Sequence, residues 1–190
     1  MYTSFAIGGS RALKNTAPVR AFVRAALASG ASLSVGCATG ADAQVAPAIQ
    51  RAQLHRLHIF AAFAPDGAGS WRSSAVSITQ QAAQLGASVT WLAGGGLSVP
   101  LAARLMQRSQ ACCNSVVHGG ACVFFLQSPS SPGSLAVEGY AVSRGLPVFA
   151  FSVGFAGAPA APRGCAGAWV PASLLGFACW RWSPAQQVLL

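Results

Sequence analysis

Residues 33–43 read Leu33-Ser-Val-Gly36-Cys-Ala-Thr-Gly40-Ala-Asp42-Ala43. An apolar run stops at Gly36, a second glycine follows at Gly40, and Asp42 opens an Ala-rich stretch. This pattern predicts a strand, a tight glycine turn and a helix whose first turn carries an acid. Glycine lets the backbone bend sharply and lets a ligand come close to it. A helix start offers unpaired N–H groups and a partial positive charge. Strand, turn and helix together therefore form an anion site. Asp42 is one of only three acidic residues, with Asp66 and Glu138, which singles out its position.

Working outward, strands and helices alternate. Residues 3–7 are a short apolar run ending in Gly8-Gly9-Ser10-Arg11, a first strand entering a phosphate-type loop. Residues 18–29 have helical spacing, with Val19, Phe22, Val23, Ala26 and Leu27 on one face and Gly30 as the stop. After a strand at 32–35, a helix is expected over 42–53 with Pro47 in its early turns. A strand over 55–63 and a loop over 64–70 follow. Next come a helix over 73–85, a strand over 88–93, the turn Gly94-Gly95-Gly96 and a helix over 100–113. Arg104 and Arg108 lie four apart in that helix and so share one face. Ala121-Cys-Val-Phe-Phe-Leu126 is apolar throughout, as in a strand buried on both sides of a parallel sheet. The serine-rich loop 128–134, a helix over 135–144 and a strand over 147–151 complete the series.

Such alternation predicts an α/β fold: a Rossmann-like doubly wound, mostly parallel sheet with helices on both faces. Ligands of such sheets bind beyond the carboxyl ends of the strands, near the switch point. Three loops fall there: residues 8–11, 36–42 and 128–134. Residues 1–152 form this domain, and residues 153–190 read as a C-terminal extension on the same domain. Two edge strands at 166–171 and 177–182 carry three of the five Trp, placed to pack over the sheet rather than to stack on bases.

A chain of 190 residues with 53% hydrophobic and 8% charged residues has ample core and is not a disordered chain. The net charge is +9, from eleven Arg and one Lys against three acids, which reads either as suited to an anionic partner (nucleic acid, a nucleotide phosphate or acidic lipid) or as a compositional drift toward Ala, Arg and Gly. The Arg residues are scattered, so no basic tail exists. Six Cys form no CxxC pair and, with His55, His58 and His118, no zinc-type cluster. Most lie in apolar segments as small hydrophobes. No metal site, cofactor or Ser-His-Asp triad is expected, and Ser10, Ser70 and Ser134 lack a Gly-x-Ser-x-Gly elbow. No secretory signal is visible, and the apolar stretch 145–162 is broken by Pro147, Pro159 and Pro162. The expectation is a cytoplasmic protein with no membrane span.

Taken in order, Ile7-Gly-Gly-Ser-Arg11, then Gly36-x-Ala38-x-Gly40-x-Asp42, then Ser131-Pro-Gly-Ser134 resemble the SLOG superfamily of Rossmann-like proteins. The nearer resemblance is to the DNA-processing DprA/Smf family; the LOG-type nucleotide phosphoribohydrolases are more distant. The resemblance covers residues 3–151. The DprA-like resemblance implies binding of single-stranded DNA or a nucleotide phosphate, a role in DNA processing or recombination with hand-over to a recombinase, and a homodimer. The residues it points to are Gly8, Gly9, Ser10, Arg11, Gly36, Thr39, Gly40, Asp42, Ser131, Gly133 and Ser134, with Arg104 or Arg108. The family's Arg-Asn-Arg string is absent, and Arg108-Ser109-Gln110 is the nearest approach to it. The LOG-like resemblance implies cleavage of a nucleoside monophosphate's ribose–base bond, which needs a carboxylate to stabilise positive charge on the sugar. Asp42 and Glu138 are the candidates. Asp42 reads more simply as a helix cap or as the residue orienting Arg11, and Glu138 either faces the loop or serves as a dipole partner. A third reading is a nucleotide-sensing module without turnover, with Arg11 and Arg104 or Arg108 neutralising the phosphate.

Overall fold

The computed structural model describes residues 1–91, 98–116 and 118–185. One sheet of eight strands organises them, in the order β4-β3-β2-β1-β5-β6-β8-β7. These strands are β1 (Ser4–Gly9), β2 (Ser32–Gly36), β3 (Leu57–Ala61), β4 (Ser88–Trp91), β5 (Gly120–Leu126), β6 (Val148–Ser152), β7 (Gly167–Leu174) and β8 (Phe177–Pro184). The first six are parallel to one another, and the β7–β8 hairpin adds antiparallel to β6. Four α-helices cover the sheet: α1 (Ala17–Ala28), α2 (Ser73–Gln84), α3 (Leu101–Asn114) and α4 (Pro132–Ser143). This is the expected Rossmann-like α/β architecture. The chain winds outward from β1 in both directions, so the switch point lies between β1 and β5.

Alternation along each strand builds two cores. Phe5, Ile7, Leu33, Val35, Val123, Phe125, Phe149 and Phe151 point to the face covered by α1 and α2. Ala6, Cys122, Phe124, Leu126, Val148 and Ala150 point to the face covered by α3 and α4. A period of two along the strands and both faces apolar is what a doubly covered parallel sheet requires. Phe22 of α1 is central to the first core: its ring lies 5.2 Å from Phe5 and 5.8 Å from Phe125, edge-on, and 6.4 Å from Phe177 of the hairpin. Helix α1 stops where Gly30 takes φ +91°, and Ala31 N–H turns back to the Ala26 carbonyl. On the second core, Trp182 is buried and meets Trp169 edge-on at 5.3 Å, so two of the hairpin's indoles pack on each other.

The hairpin strands β7 and β8 run on to Leu174 and Pro184, past the expected ends at 171 and 182, and three further expected elements differ. No α-helix spans 42–53. The chain makes three 3-10 turns, Asp42–Gln44, Ala46–Ala48 and Arg51–Arg56, and is extended at Ile49 and Gln50. Pro47 supplies no N–H and obstructs a continuing α-turn, which breaks the stretch. Strand β3 begins at Leu57 rather than 55, because residues 51–56 belong to the last of those turns. Helix α4 begins at Pro132, three residues early, so Gly133 and Ser134 lie in its first turn rather than in a loop. The fixed φ of proline suits that first helical position. The expected turn at Gly94-Gly95-Gly96 lies outside the described residues. No described helix is long and apolar enough to cross a membrane.

Candidate functional site

The loops after β1, β2 and β5 are tied into one body at the carboxyl end of the sheet. Ser10 begins the first loop. Its N–H donates to the Phe125 carbonyl at 2.9 Å, and its Oγ accepts the Gln127 N–H at 2.9 Å. The Gln127 side chain in turn accepts the Lys14 N–H at 2.9 Å. The second loop leans on the first: Ala41 N–H donates to the Ser10 carbonyl at 3.3 Å, and Thr39 Oγ1 reaches the Arg11 carbonyl at 3.5 Å. Gly40 makes this contact feasible. It has φ +71°, and a Cβ there would collide with the carbonyls of Ser10 and Arg11.

Behind the second loop lies a buried ion pair. Arg108 Nη1 donates to Asp42 Oδ2 at 2.8 Å, and the same oxygen accepts the Ala38 N–H at 3.1 Å. Arg108 is 7% exposed and Asp42 is also buried. The guanidinium lies directly over Gly36, where a Cβ would overlap it. Burial works against the charge on Arg108, but the charge and hydrogen bond of Asp42, together with Cys37 and Cys112, raise its pKa above the ordinary arginine value. Asp42 therefore neither caps an α-helix nor orients Arg11; it holds Arg108 and its own loop. The helix-start anion site expected at Asp42 is absent with the helix itself.

The α-helix start that does face this region is that of α4. Ser131 is its N-cap residue without a side-chain cap bond, and its Oγ lies 3.3 Å from Ser134 Oγ. Pro132 has no N–H, and Leu135 N–H is bonded to the Ser131 carbonyl at 2.9 Å. The amides of Gly133 and Ser134 precede that bond, at the positive end of a twelve-residue helix. Arg11 is exposed, and its Nη2 lies 3.8 Å from the point where a Gly133 Cβ would sit. On the other side, the C-terminal extension passes over α4: Arg163 N–H donates to the Leu135 carbonyl at 3.0 Å, and its backbone packs on Gly139.

Between these parts opens a cleft of about 620 Å³, inside the usual range for small-molecule sites. Its lining is polar at Ser10, Arg11, Ser131, Gly133, Ser134 and Arg163, together with Arg108 and Asp42. It is apolar at Leu105 and Met106 of α3, Val137 of α4 and Phe124 of β5. Cys112 and Cys113 also line it. Burial pushes the Cys112 thiol well above its ordinary pKa. The Cys122 thiol, hydrogen-bonded to Cys113 and buried, is raised likewise. These groups stay protonated at neutral pH and serve as packing rather than as nucleophiles.

Of the residues singled out in the sequence, the cleft gathers Gly8, Gly9, Ser10, Arg11, Gly36, Asp42, Arg108, Ser131, Gly133 and Ser134. It does not gather Thr39 and Gly40, which stitch the second loop to the first. Arg104 is also outside. It is 7% exposed, and its guanidinium donates to the carbonyls of Val99 at 3.2 Å, Ala62 at 3.2 Å and Gly69 at 2.7 Å. It is a loop fastener, not a free cation. Glu138 follows Ser134 by one turn on the sheet-facing side of α4 but does not line the cleft. It is 0% exposed, neither carboxyl oxygen has a hydrogen-bond partner, and burial pushes its pKa up to about 8. Arg163, Leu105 and Met106 line the cleft without having been singled out in the sequence, although a lone Arg between Pro162 and Gly164 in an apolar, aperiodic stretch is a usable signal. The histidines stay apart: His58 is stacked on Phe60 at 4.3 Å and bonded to Thr90 Oγ1 at 2.7 Å. Among the described residues no group of His, Cys, Asp or Glu is arranged to hold a metal.

Comparison with protein-family models, with curated proteins and with solved structures finds no match to this chain.

Proposed function

We propose that this chain binds a nucleotide in the cleft, with the phosphate at the start of α4 between Arg11 and Arg163. The observation that carries this reading is the uncapped N-terminus of a twelve-residue helix, flanked by two exposed arginines, at the switch point of a Rossmann-like sheet. Helix N–H groups, the positive end of the dipole and guanidinium forks are what a phosphate needs. The apolar wall of α3 and α4 gives a base somewhere dry to lie. The likeness of the three loops to those of SLOG proteins points the same way. Of the family's readings, the nucleotide-sensing module fits best, because the cleft is a compact pocket and Arg104 is consumed by backbone carbonyls. Five buried thiols without a disulfide among six free cysteines suit a reducing, cytoplasmic setting.

Single-stranded DNA is the second reading, favoured by the surface. Asp42 and Glu138 are buried, while ten cations are exposed or half-buried against the single exposed acid Asp66. A glycosidic hydrolase is favoured least: Asp42 is engaged by Arg108, and Glu138 is sealed below the cleft.

Thermal unfolding with nucleoside monophosphates and with inorganic phosphate tests the first reading. Nucleotides raise Tm, and Arg11→Ala or Arg163→Ala weakens binding by roughly 10- to 100-fold, the worth of a charged hydrogen bond, without lowering Tm of the free protein. If neither a nucleotide nor phosphate shifts Tm, the reading is wrong. Fluorescence anisotropy with a labelled oligonucleotide tests the second. DNA binding weakens steeply with salt as counterions are released; flat anisotropy at low salt removes it.

A further inference from the structure

The inner end of the cleft carries a feature that a phosphate site does not use. Arg108 lines the cleft, is 7% exposed, and spends Nη1 on Asp42 at 2.8 Å. Its Nε is buried and has no partner. An unpaired buried donor is costly. In a guanidinium the Nε–H and the neighbouring Nη2–H point the same way and form a two-pronged donor. The position of that fork is held on two sides: by Asp42, and by Gly36, whose missing side chain leaves the room it occupies. Asp42 already neutralises the positive charge. The fork therefore calls for a pair of neutral acceptors rather than a second anion, which would also meet the Asp42 carboxylate.

Building on the nucleotide reading above, we infer that Arg108 reads the base, and that the cleft selects a 6-oxopurine nucleotide, of the guanine or hypoxanthine type. The O6 and N7 atoms of such a base are two adjacent acceptors, and an arginine fork on them is the commonest specific base contact. Adenine places an N6 amino donor against the same fork and is rejected. Arg108, over Gly36 at the end of β2, and the start of α4 after β5 line the same cleft, on either side of β1. Leu105, Met106 and Val137 give the purine an apolar wall on the way.

Isothermal titration of the full chain tests this with GMP, IMP, AMP, UMP, 7-deaza-GMP and inorganic phosphate. GMP and IMP bind more tightly than AMP by roughly 5- to 150-fold, the discrimination of one bidentate pair. 7-Deaza-GMP, which lacks the N7 acceptor, falls between them. Arg108→Lys keeps a charge for Asp42 but has no fork, so it brings GMP down to the AMP level while inorganic phosphate still binds. AMP or UMP binding as tightly as GMP to the unaltered chain overturns the base assignment and leaves the phosphate site standing. Failure of every nucleotide and of phosphate to bind overturns the nucleotide reading and this inference with it.

Discussion

Raising the pH from 5 to 9 destabilises this protein through Glu138. The side chain is 0% exposed on the sheet side of α4, neither oxygen has a partner, and burial lifts its pKa from 4.5 to about 8. In the unfolded chain it is ionised above pH 4.5, while in the folded chain it keeps its proton until about pH 8. Across that window the native state binds more protons than the unfolded state, so stability falls as pH rises. A displacement of about 3.5 pH units at 1.36 kcal/mol per unit corresponds to about 5 kcal/mol of lost stability, in order of magnitude. That is a large share of the 5–15 kcal/mol typical of a domain. His58 acts in the opposite sense: burial lowers its pKa, so its contribution is lost as pH falls below the ordinary histidine range. The comparison that isolates Glu138 is therefore the unaltered chain against Glu138→Gln, a neutral side chain of nearly the same shape. Urea unfolding followed by tryptophan fluorescence at one-unit pH steps gives both curves. The expected outcome is a midpoint that drops from pH 5 to pH 8 in the unaltered chain and a difference curve that closes, then reverses, in favour of Glu138→Gln. Parallel curves for the two proteins between pH 5 and 9 would refute the reasoning, because they would show that the carboxyl is hydrated or partnered.

Two further substitutions probe the loops. Asp42→Ala leaves the Arg108 guanidinium buried and unpaired, and the loss of one member of such a pair costs roughly 3–5 kcal/mol; Gly36→Ala produces a similar loss by displacing Arg108, and the pair of changes made together is less than additive, all read from urea midpoints. Arg104→Ala strands the carbonyls of Ala62 and Gly69 and loosens residues 62–72; amide hydrogen exchange there rises at least several-fold, whereas phosphate binding at the start of α4 is unchanged.

The sheet was legible in the sequence because its central strands are apolar on both faces and α1, α2 and α4 are followed by glycines. Phe22, Gly30 and the run 121–126 each report position through a local rule. The second loop was not legible, and the reason is specific. Composition over 42–53 is rich in Ala and Gln, which favour a helix. Pro47 and the packing of Ala41 on the Ser10 carbonyl override that preference, and neither effect registers in an average over the window. The site was half legible. Gly8, Gly9, Ser10, Arg11, Gly133 and Ser134 stand at strand or helix ends, where backbone chemistry is shared by any Rossmann-like sheet. Arg104 and Arg108 were correctly put on one face of a helix, but periodicity does not say that the face turns inward. That depends on partners distant in sequence, Asp42 for one and three carbonyls for the other.

The acids decide how the charge of this molecule is expressed. Lys and Arg exceed Asp and Glu by nine in the sequence, yet the surface imbalance is sharper than that number. Asp42 is spent on Arg108 in the interior, and Glu138 is buried and uncharged below about pH 8. What faces water is ten cations against Asp66, and two of the ten, Arg11 and Arg163, stand at the cleft. Long-range attraction of an anion is then a property of the whole surface, falling off with salt over a Debye length. On the reading proposed, selection among anions is a property of the cleft, where distances are short. The two separate experimentally. If the proposed site binds nucleotides, raising salt slows the capture of any nucleotide alike, whereas the base preference inferred for Arg108 stays constant. A base preference that collapses with salt in step with affinity would assign recognition to the surface charge and not to the fork.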